Sequence, residues 1–340
     1  MAEFKGGRES AVPELPAGLP AGALPLARRY AQRADEQGQR LCGWRVPRGE
    51  TWIRRALLLP LLVEPDWPAP RRAWAIGDGA VHADLIDEDV ATFERLLEVE
   101  PTRDPERLAE IAQTWRLPVV PYRRPPVRAE QDEIPAGLEV RRWRGAADLR
   151  VVDLTALWAG PLLTSLLCAA GMCVTKIDPA CRPDGFRARP ALYRALNSGK
   201  AVVDLDLRRT EDRGRFEALV ERADLVVDSF SPRVMPNFGY SPEQLRRLNP
   251  RVATLSITAF PAHSRERNWL AFGGGVHAAS GLACAHGRPE PAPVAYPDAL
   301  AGLCGFGIAL GLLALRGERP HVALSLMGSL APLISGAPDG

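Results

Sequence analysis

The eleven residues AFGGGVHAASG, 271–281, combine four glycines with a histidine. Such a stretch suits a loop that cradles phosphate with backbone N–H groups, or a histidine that carries a proton. The surroundings favour neither use. His277 falls on the apparent helix VHAASGLA, where a packing role fits. The dinucleotide pattern GxGxxG is missing from DLTALWAGPLL, which offers Gly160 alone, and NSGKAV lacks the first glycine of a P-loop and precedes a strand. There is no GxSxG elbow, and His82, His263, His277, His286 and His321 show no metal-ligand spacing. Asp298, in AYPDALAG, opens a long apolar helix. A carboxylate is favoured at a helix N-terminus, so the residues alone leave open a cap and a nucleophile.

Composition narrows the classes. The 340 residues are 46% hydrophobic and 25% charged, which is globular, and are enough for one large domain or two. A formal charge of +2 gives no field for nucleic acid or an anionic membrane, so small-molecule chemistry is expected. Lysine occurs only at Lys5, Lys176 and Lys200 among 43 basic residues. Cys42, Cys168, Cys173, Cys181, Cys284 and Cys304 form no CxxC pair and read as reduced thiols. The longest apolar run near the N-terminus, ALLLPLLV, is too short for a bilayer. A cytoplasmic protein without a resident metal or cofactor is expected.

Chemistry needs elements to hold it. Residues 1–25 read as a flexible, proline-rich arm. The region 26–145 is expected to be an extra α+β region, with helices over 24–40, 87–99 and 106–115, followed by the proline-studded connector LPVVPYRRPPVRAEQDEIPAG, in or just after which the domain boundary is expected. From Leu149 short β-branched runs alternate with helices. Strands are expected over 150–154, 172–178 and 201–207, in DLVVDSF and RVATLSITAF, and over 321–327, with helices over 159–171, 210–223 and 298–316 and in SPEQLRRLN. Single helices between strands imply right-handed crossovers and a doubly wound, mostly parallel α/β sheet over 146–340. Ligands of such sheets lie beyond the carboxyl ends of the strands, near the switch in strand order.

Taken in order, RVVDLTALWAGPLLTSLLCAAGMCVTKIDP, NSGKAVVDLDLR, ADLVVDSFSPRVMPNFGYSPEQLRRLNPR, TLSITAF, ASGL, PVAYPDALAGLCGFGIALGLLAL and RPHVALSLMGSL closely resemble the class III CoA-transferases, or CaiB/BaiF family. The resemblance spans about 149–332. It implies a Rossmann-like domain, an interlocked homodimer or a partner subunit, and acyl-CoA and a small carboxylic acid as substrates, with CoA itself a substrate rather than a resident cofactor. It assigns the nucleophile to Asp298. By the same resemblance CoA contacts fall at Trp158 and Ala159, at Leu205, Asp206, Leu207 and Arg208, and at Ser229, Phe230 and Ser231, with Arg208 suited to a phosphate.

Departures from the family pattern shape the expectation. Pro179 and Asn237 stand where some members carry basic CoA contacts. Phe272 and Gly273, which line the same site, occupy the slot where racemases of the family carry histidine and aspartate. Two-base racemisation needs an acid and a base on opposite faces of the α-carbon, so a transferase is expected ahead of a binding-only relative and a racemase. Members also continue beyond the strand matching HVALSLM into a small domain, whereas this sequence stops at Gly340. DGAVHADLIDEDVATFERLLEVE and ERLAEIAQTWRLPVVPYR resemble that small domain, so the N-terminal region is expected to supply it.

Overall fold

The structure, a computed structural model, describes residues 19–20, 22–42, 73–85, 87–124, 130, 146–284, 288–292, 294–315 and 319–335. Most of the expected arm, His286 and the stretch 131–145, where the connector ends, lie outside these residues.

Six parallel strands form the main sheet: β4 (Arg150–Leu154), β5 (Cys173–Ile177), β6 (Ala201–Val203), β7 (Leu225–Asp228), β8 (Ala253–Thr258) and β9 (His321–Ser325). Their spatial order is β6-β5-β4-β7-β8-β9. The chain winds outward from β4 in one direction, then returns to β7 and winds outward in the other, so the switch point lies between β4 and β7. Alternation sorts the side chains: Val151, Val174, Leu225 and Val227 enter the upper core, and Val152, Leu154, Ile177 and Val226 the lower.

The helices α4 (Ala159–Ala169) and α9 (Tyr296–Ala314) cover the upper face, and α6 (Thr210–Val220) and α7 (Pro242–Leu248) the lower. A capping box between Ser241 and Gln244 starts α7. The remaining helix of this crossover region, α5 (Pro190–Asn197), packs beside α4. Glycines let α4 and α9 cross closely. A Cβ on Gly302 would stand 2.8 Å from Leu162 and 3.0 Å from the Ala159 carbonyl, and one on Gly305 would stand 2.5 Å from Leu163 of α4 and 2.9 Å from Leu324 of β9. Although α9 is long and apolar enough to cross a bilayer, it is wrapped by α4, the sheet and an N-terminal helix, α1 (Ala23–Cys42). Leu26, Tyr30 and Ala34 line the buried side of α1, and the Tyr30 hydroxyl donates to the Ser329 carbonyl at 2.6 Å.

The rest of the N-terminal region is a small α+β unit. Strands β1 (Ala73–Ile76), β2 (Gly79–Ala83) and β3 (Val119–Pro121) form an antiparallel sheet, backed by α2 (Asp87–Val99) and α3 (Pro105–Thr114). The first residues of the connector thus supply a strand. The strand expected over 201–207 is shorter than its pattern: β6 ends at Val203 because Asp204 turns aside to accept the Ala180 N–H.

Candidate active site

The loop between β4 and α4 is built on buried charge. Lys200 Nζ lies 3.0 Å from Asp153 Oδ2, 2.7 Å from Thr164 Oγ1 and 2.9 Å from Asn197 Oδ1, and both Lys200 and Asp153 side chains are fully buried. Burial opposes ionisation of Asp153, yet Lys200 and Lys176, with the Thr155 and Thr164 hydroxyls, hold it below the usual carboxylate range. Lys176 pairs with Asp184 at 3.1 Å and donates to the Thr155 carbonyl. Asp184 in turn accepts the N–H of Leu157, which sits at φ 66°. That left-handed geometry is costly for leucine and is held by its surroundings. On the other side, the Ser229 hydroxyl accepts the Ala156 N–H at 3.0 Å, tying the loop to the end of β7. Trp158, the N-cap of α4, buries an indole N–H with no hydrogen-bond partner among the described residues, a donor that calls for an explanation.

A second wall comes from α8 (Gly273–Ala279) and the start of α9. Asp298 is the acid in the first turn of α9, and its carboxylate lies directly against Gly273. A Cβ at Gly273 would collide with Asp298 Oδ2 and stand 3.1 Å from its Cγ. Only glycine leaves the carboxylate its place. Phe272, just before, is 42% exposed. His277 is buried, with Nδ1 2.7 Å from the Tyr296 hydroxyl and Nε2 3.1 Å from the Glu290 carbonyl. A carbonyl only accepts, so Nε2 carries the proton and the Tyr296 hydroxyl donates to Nδ1. Burial pushes the imidazole down to about 4. His277 is therefore a neutral strut joining α8 to α9 at Tyr296, which lies two residues before Asp298, in keeping with the packing role its helix suggests.

The N-terminal unit grips the segment that leads into Gly273. The Gln113 amide donates to the Leu270 carbonyl at 2.8 Å and accepts the Leu270 N–H at 2.7 Å. Arg123 pairs with Glu266, and its N–H donates to the Ala278 carbonyl at 3.1 Å. Arg116 Nη1 reaches the Asn268 carbonyl and Nη2 the Ser231 Oγ, each at 3.3 Å. Ser231 follows β7, whose last residue, Asp228, is buried, accepting the Ser256 hydroxyl at 2.6 Å and the Phe230 N–H at 3.1 Å. With no cation beside it among the described residues, burial pushes the Asp228 carboxyl up to about 6.

The residues expected to touch substrate thus fall into three groups. The structure brings Gly273 and Asp298 together, and the β4–α4 loop carrying Trp158 and Ala159 is tied to Ser229. Leu205 and Leu207 point into the lower core, and Arg208 is held in a fork by Asp206, with Nη2 and Oδ2 2.8 Å apart. This third group follows the edge strand, three strand spacings or roughly 14 Å from β7. Sequence reasoning gave no role of their own to Lys176 and Lys200, which could equally have been exposed charges, nor to Arg116, Arg233 and Asp228. A signal existed for the lysines: a chain with 43 basic residues keeps lysine at only three positions, and two of them lie buried in this network.

The profile of CoA-transferase family III matches residues 147–338, more than half of the chain. The chain belongs to CoA-transferase family III. Among curated members of the family it is 31% identical over 199 residues to acetyl-CoA:oxalate CoA-transferase of Acetobacter aceti, covering 54% of this chain and 51% of the relative. It is 39% identical over 127 residues to succinyl-CoA:mesaconate CoA-transferase of Haloarcula hispanica, covering 33% and 31%. The chain spans about half the length, or less, of these family members. A CaiB/BaiF family protein from Brucella suis superposes with a TM-score of 0.51 at 25% identity, covering 56% of this chain and 55% of the other. A hypothetical protein from Mycobacterium tuberculosis shares the fold, with a TM-score of 0.52 at 24% identity over 55% of this chain and 56% of its own. The N-terminal unit and α1 precede the residues that the family profile covers.

Proposed function

We propose that the chain transfers CoA between an acyl-CoA thioester and a small carboxylic acid, with Asp298 as nucleophile. One observation carries this reading: the Asp298 carboxylate abuts a glycine whose missing side chain leaves it room at the start of α9. An Asp298 oxygen attacks the thioester carbonyl, the C–S bond breaks, and CoA leaves as thiolate, forming a mixed anhydride. The thiolate then attacks the aspartyl carbonyl, releasing the first acid and leaving an aspartyl-CoA thioester. The acceptor carboxylate attacks that thioester to give a new anhydride, and the returning thiolate takes the new acyl group and frees Asp298. No water or oxidant enters.

The buried, unshared Trp158 N–H supports a donor for the oxyanion that develops at the carbonyl. Oxalate and mesaconate, the acids in the relatives' names, are the first acceptors to try. We further propose that the N-terminal unit closes the site as a small domain, and that the protein works as a cytoplasmic homodimer. Racemisation is disfavoured because Phe272 and Gly273 carry no proton.

The test is intact mass of the protein after incubation with a panel of acyl-CoA esters and a hydroxylamine trap. The wild type is expected to gain an adduct that maps to Asp298, and Asp298→Asn to gain none. CoA binding without any adduct, unchanged in Asp298→Asn, would favour a binding-only protein, and no binding at millimolar ligand would remove the reading altogether.

A further inference from the structure

Two cations meet beside the end of β7 with no carboxylate between them among the described residues, whereas several arginines elsewhere are held in ion pairs. Arg123 and Arg265 pair with Glu106 and Glu266, Arg187 with Asp178, Arg215 with Asp212 and Arg319 with Asp224. Among the described residues, Arg116 and Arg233 pair with no carboxylate. They are nonetheless close. Arg116 touches the Ser231 hydroxyl, and Arg233 lies two residues further along the same loop. Burial and then the neighbouring Arg233 pull the Arg116 guanidinium below its usual range.

Arg116 is also held at a cost. The Leu117 N–H bonds the Ala112 carbonyl at 3.0 Å and the Arg116 N–H the Gln113 carbonyl at 3.1 Å, which is the Schellman ending of α3. Its left-handed position normally takes glycine, and here holds arginine at φ 62°. Any left-handed residue would end the helix, so the geometry does not require a guanidinium. The side chain instead crosses from the N-terminal unit to the rim of the parallel sheet, beside the switch point where such sheets receive anionic ligands.

We propose that Arg116 and Arg233, with the Ser229 and Ser231 hydroxyls, form a clamp for the phosphates of CoA. The inference rests on the CoA-transferase reading. It supplies basic contacts that Pro179 and Asn237 do not, and it draws one of them from outside the family domain. Two positive charges match a phosphate dianion, whereas a lone carboxylate neutralises only one. Guanidinium forks suit phosphate oxygens, and the hydroxyls add donors.

The test compares binding of CoA, dephospho-CoA (which lacks the ribose phosphate) and acetylpantetheine (which lacks the whole nucleotide) to the full chain by calorimetry. Arg116→Gly and Arg233→Gln are each expected to weaken CoA by about 10- to 100-fold and leave acetylpantetheine unchanged. Arg116→Gly relieves the left-handed strain and is expected to melt no lower than wild type, which separates lost binding from lost folding. If dephospho-CoA escapes the loss, the clamp holds the ribose phosphate; if it shares the loss, the clamp holds the pyrophosphate. Unchanged CoA binding in both variants would overturn the clamp and leave the transferase reading standing. If wild type binds none of the three, the transferase reading falls and takes the clamp's ligand with it.

Discussion

Beneath the β4–α4 loop, Lys200 meets Asp153 and Lys176 meets Asp184, each pair sealed from solvent. At the end of β7 the same kinds of charge stand apart: buried Asp228 has no cation, and Arg116 and Arg233 have no carboxylate, among the described residues. Buried charges that are paired and hydrogen-bonded hold shape, and a pair that loses one member is strongly destabilising. Charges that have hydrogen bonds but no counter-charge gain no ion pair in the empty protein and suit a ligand that supplies one. The lysine side therefore reads as scaffold and the arginine side as recognition.

The strongest way to break this contrast is at Lys200. Lys200→Met takes from buried Asp153 the cation paired with it, leaving the Thr155 and Thr164 hydrogen bonds, and is expected to lower unfolding free energy by about 3–5 kcal/mol in urea titrations. Adding Asp153→Leu is expected to recover much of it. A silent Lys200→Met would mean that the buried network is not scaffold.

A smaller effect of opposite sign is expected at Asp228. Its folded-state value of about 6 lies above the roughly 4 of an unfolded aspartate. The folded protein therefore binds more protons between these values, and this group's contribution makes stability fall as pH rises through that window, then level off. Asp228→Asn is expected to remove this slope and raise stability near pH 7 by on the order of 1–3 kcal/mol, with little change below about pH 4. Denaturation curves across pH would read both; a variant less stable at neutral pH would show that the Asp228 charge is compensated after all.

The smallest effect is expected at Arg208. Its guanidinium is already held by Asp206, and exposed pairs of this kind contribute little. Arg208→Ala is expected to leave melting unchanged and shift CoA affinity by less than about twofold. A loss as large as that of Arg116→Gly would move the recognition side toward β6.

What was legible in the sequence followed local rules. The α2 helix occupies the expected 87–99, and β4 the expected 150–154, because periodicity and turn residues act within a few positions. The antiparallel sheet was hidden: its strands are three to five residues long, and β2 and β3 are separated by two helices. The charge pattern was hidden more deeply. Lys200 finds Asp153 across 47 positions and Arg116 finds Ser231 across 115, and no local rule reports a partner so distant. Asp298 was reached through family resemblance, and its contact with Gly273 adds a physical reason for that glycine which composition alone did not provide.

The packing of α1 on α9 has a consequence for the order of folding. During synthesis from the N-terminus, Leu26 and Tyr30 emerge long before the helix that covers them and before the Ser329 carbonyl that Tyr30 seeks, 299 positions further along. Until then α1 carries a greasy stripe with nothing to lie on, and such surface is what makes nascent chains stick to one another. Closing so long a loop also delays folding, since its entropy is lost before the contact rewards it. The seam between α1 and α9 is thus closed late, after the chain that builds the parallel sheet has been made.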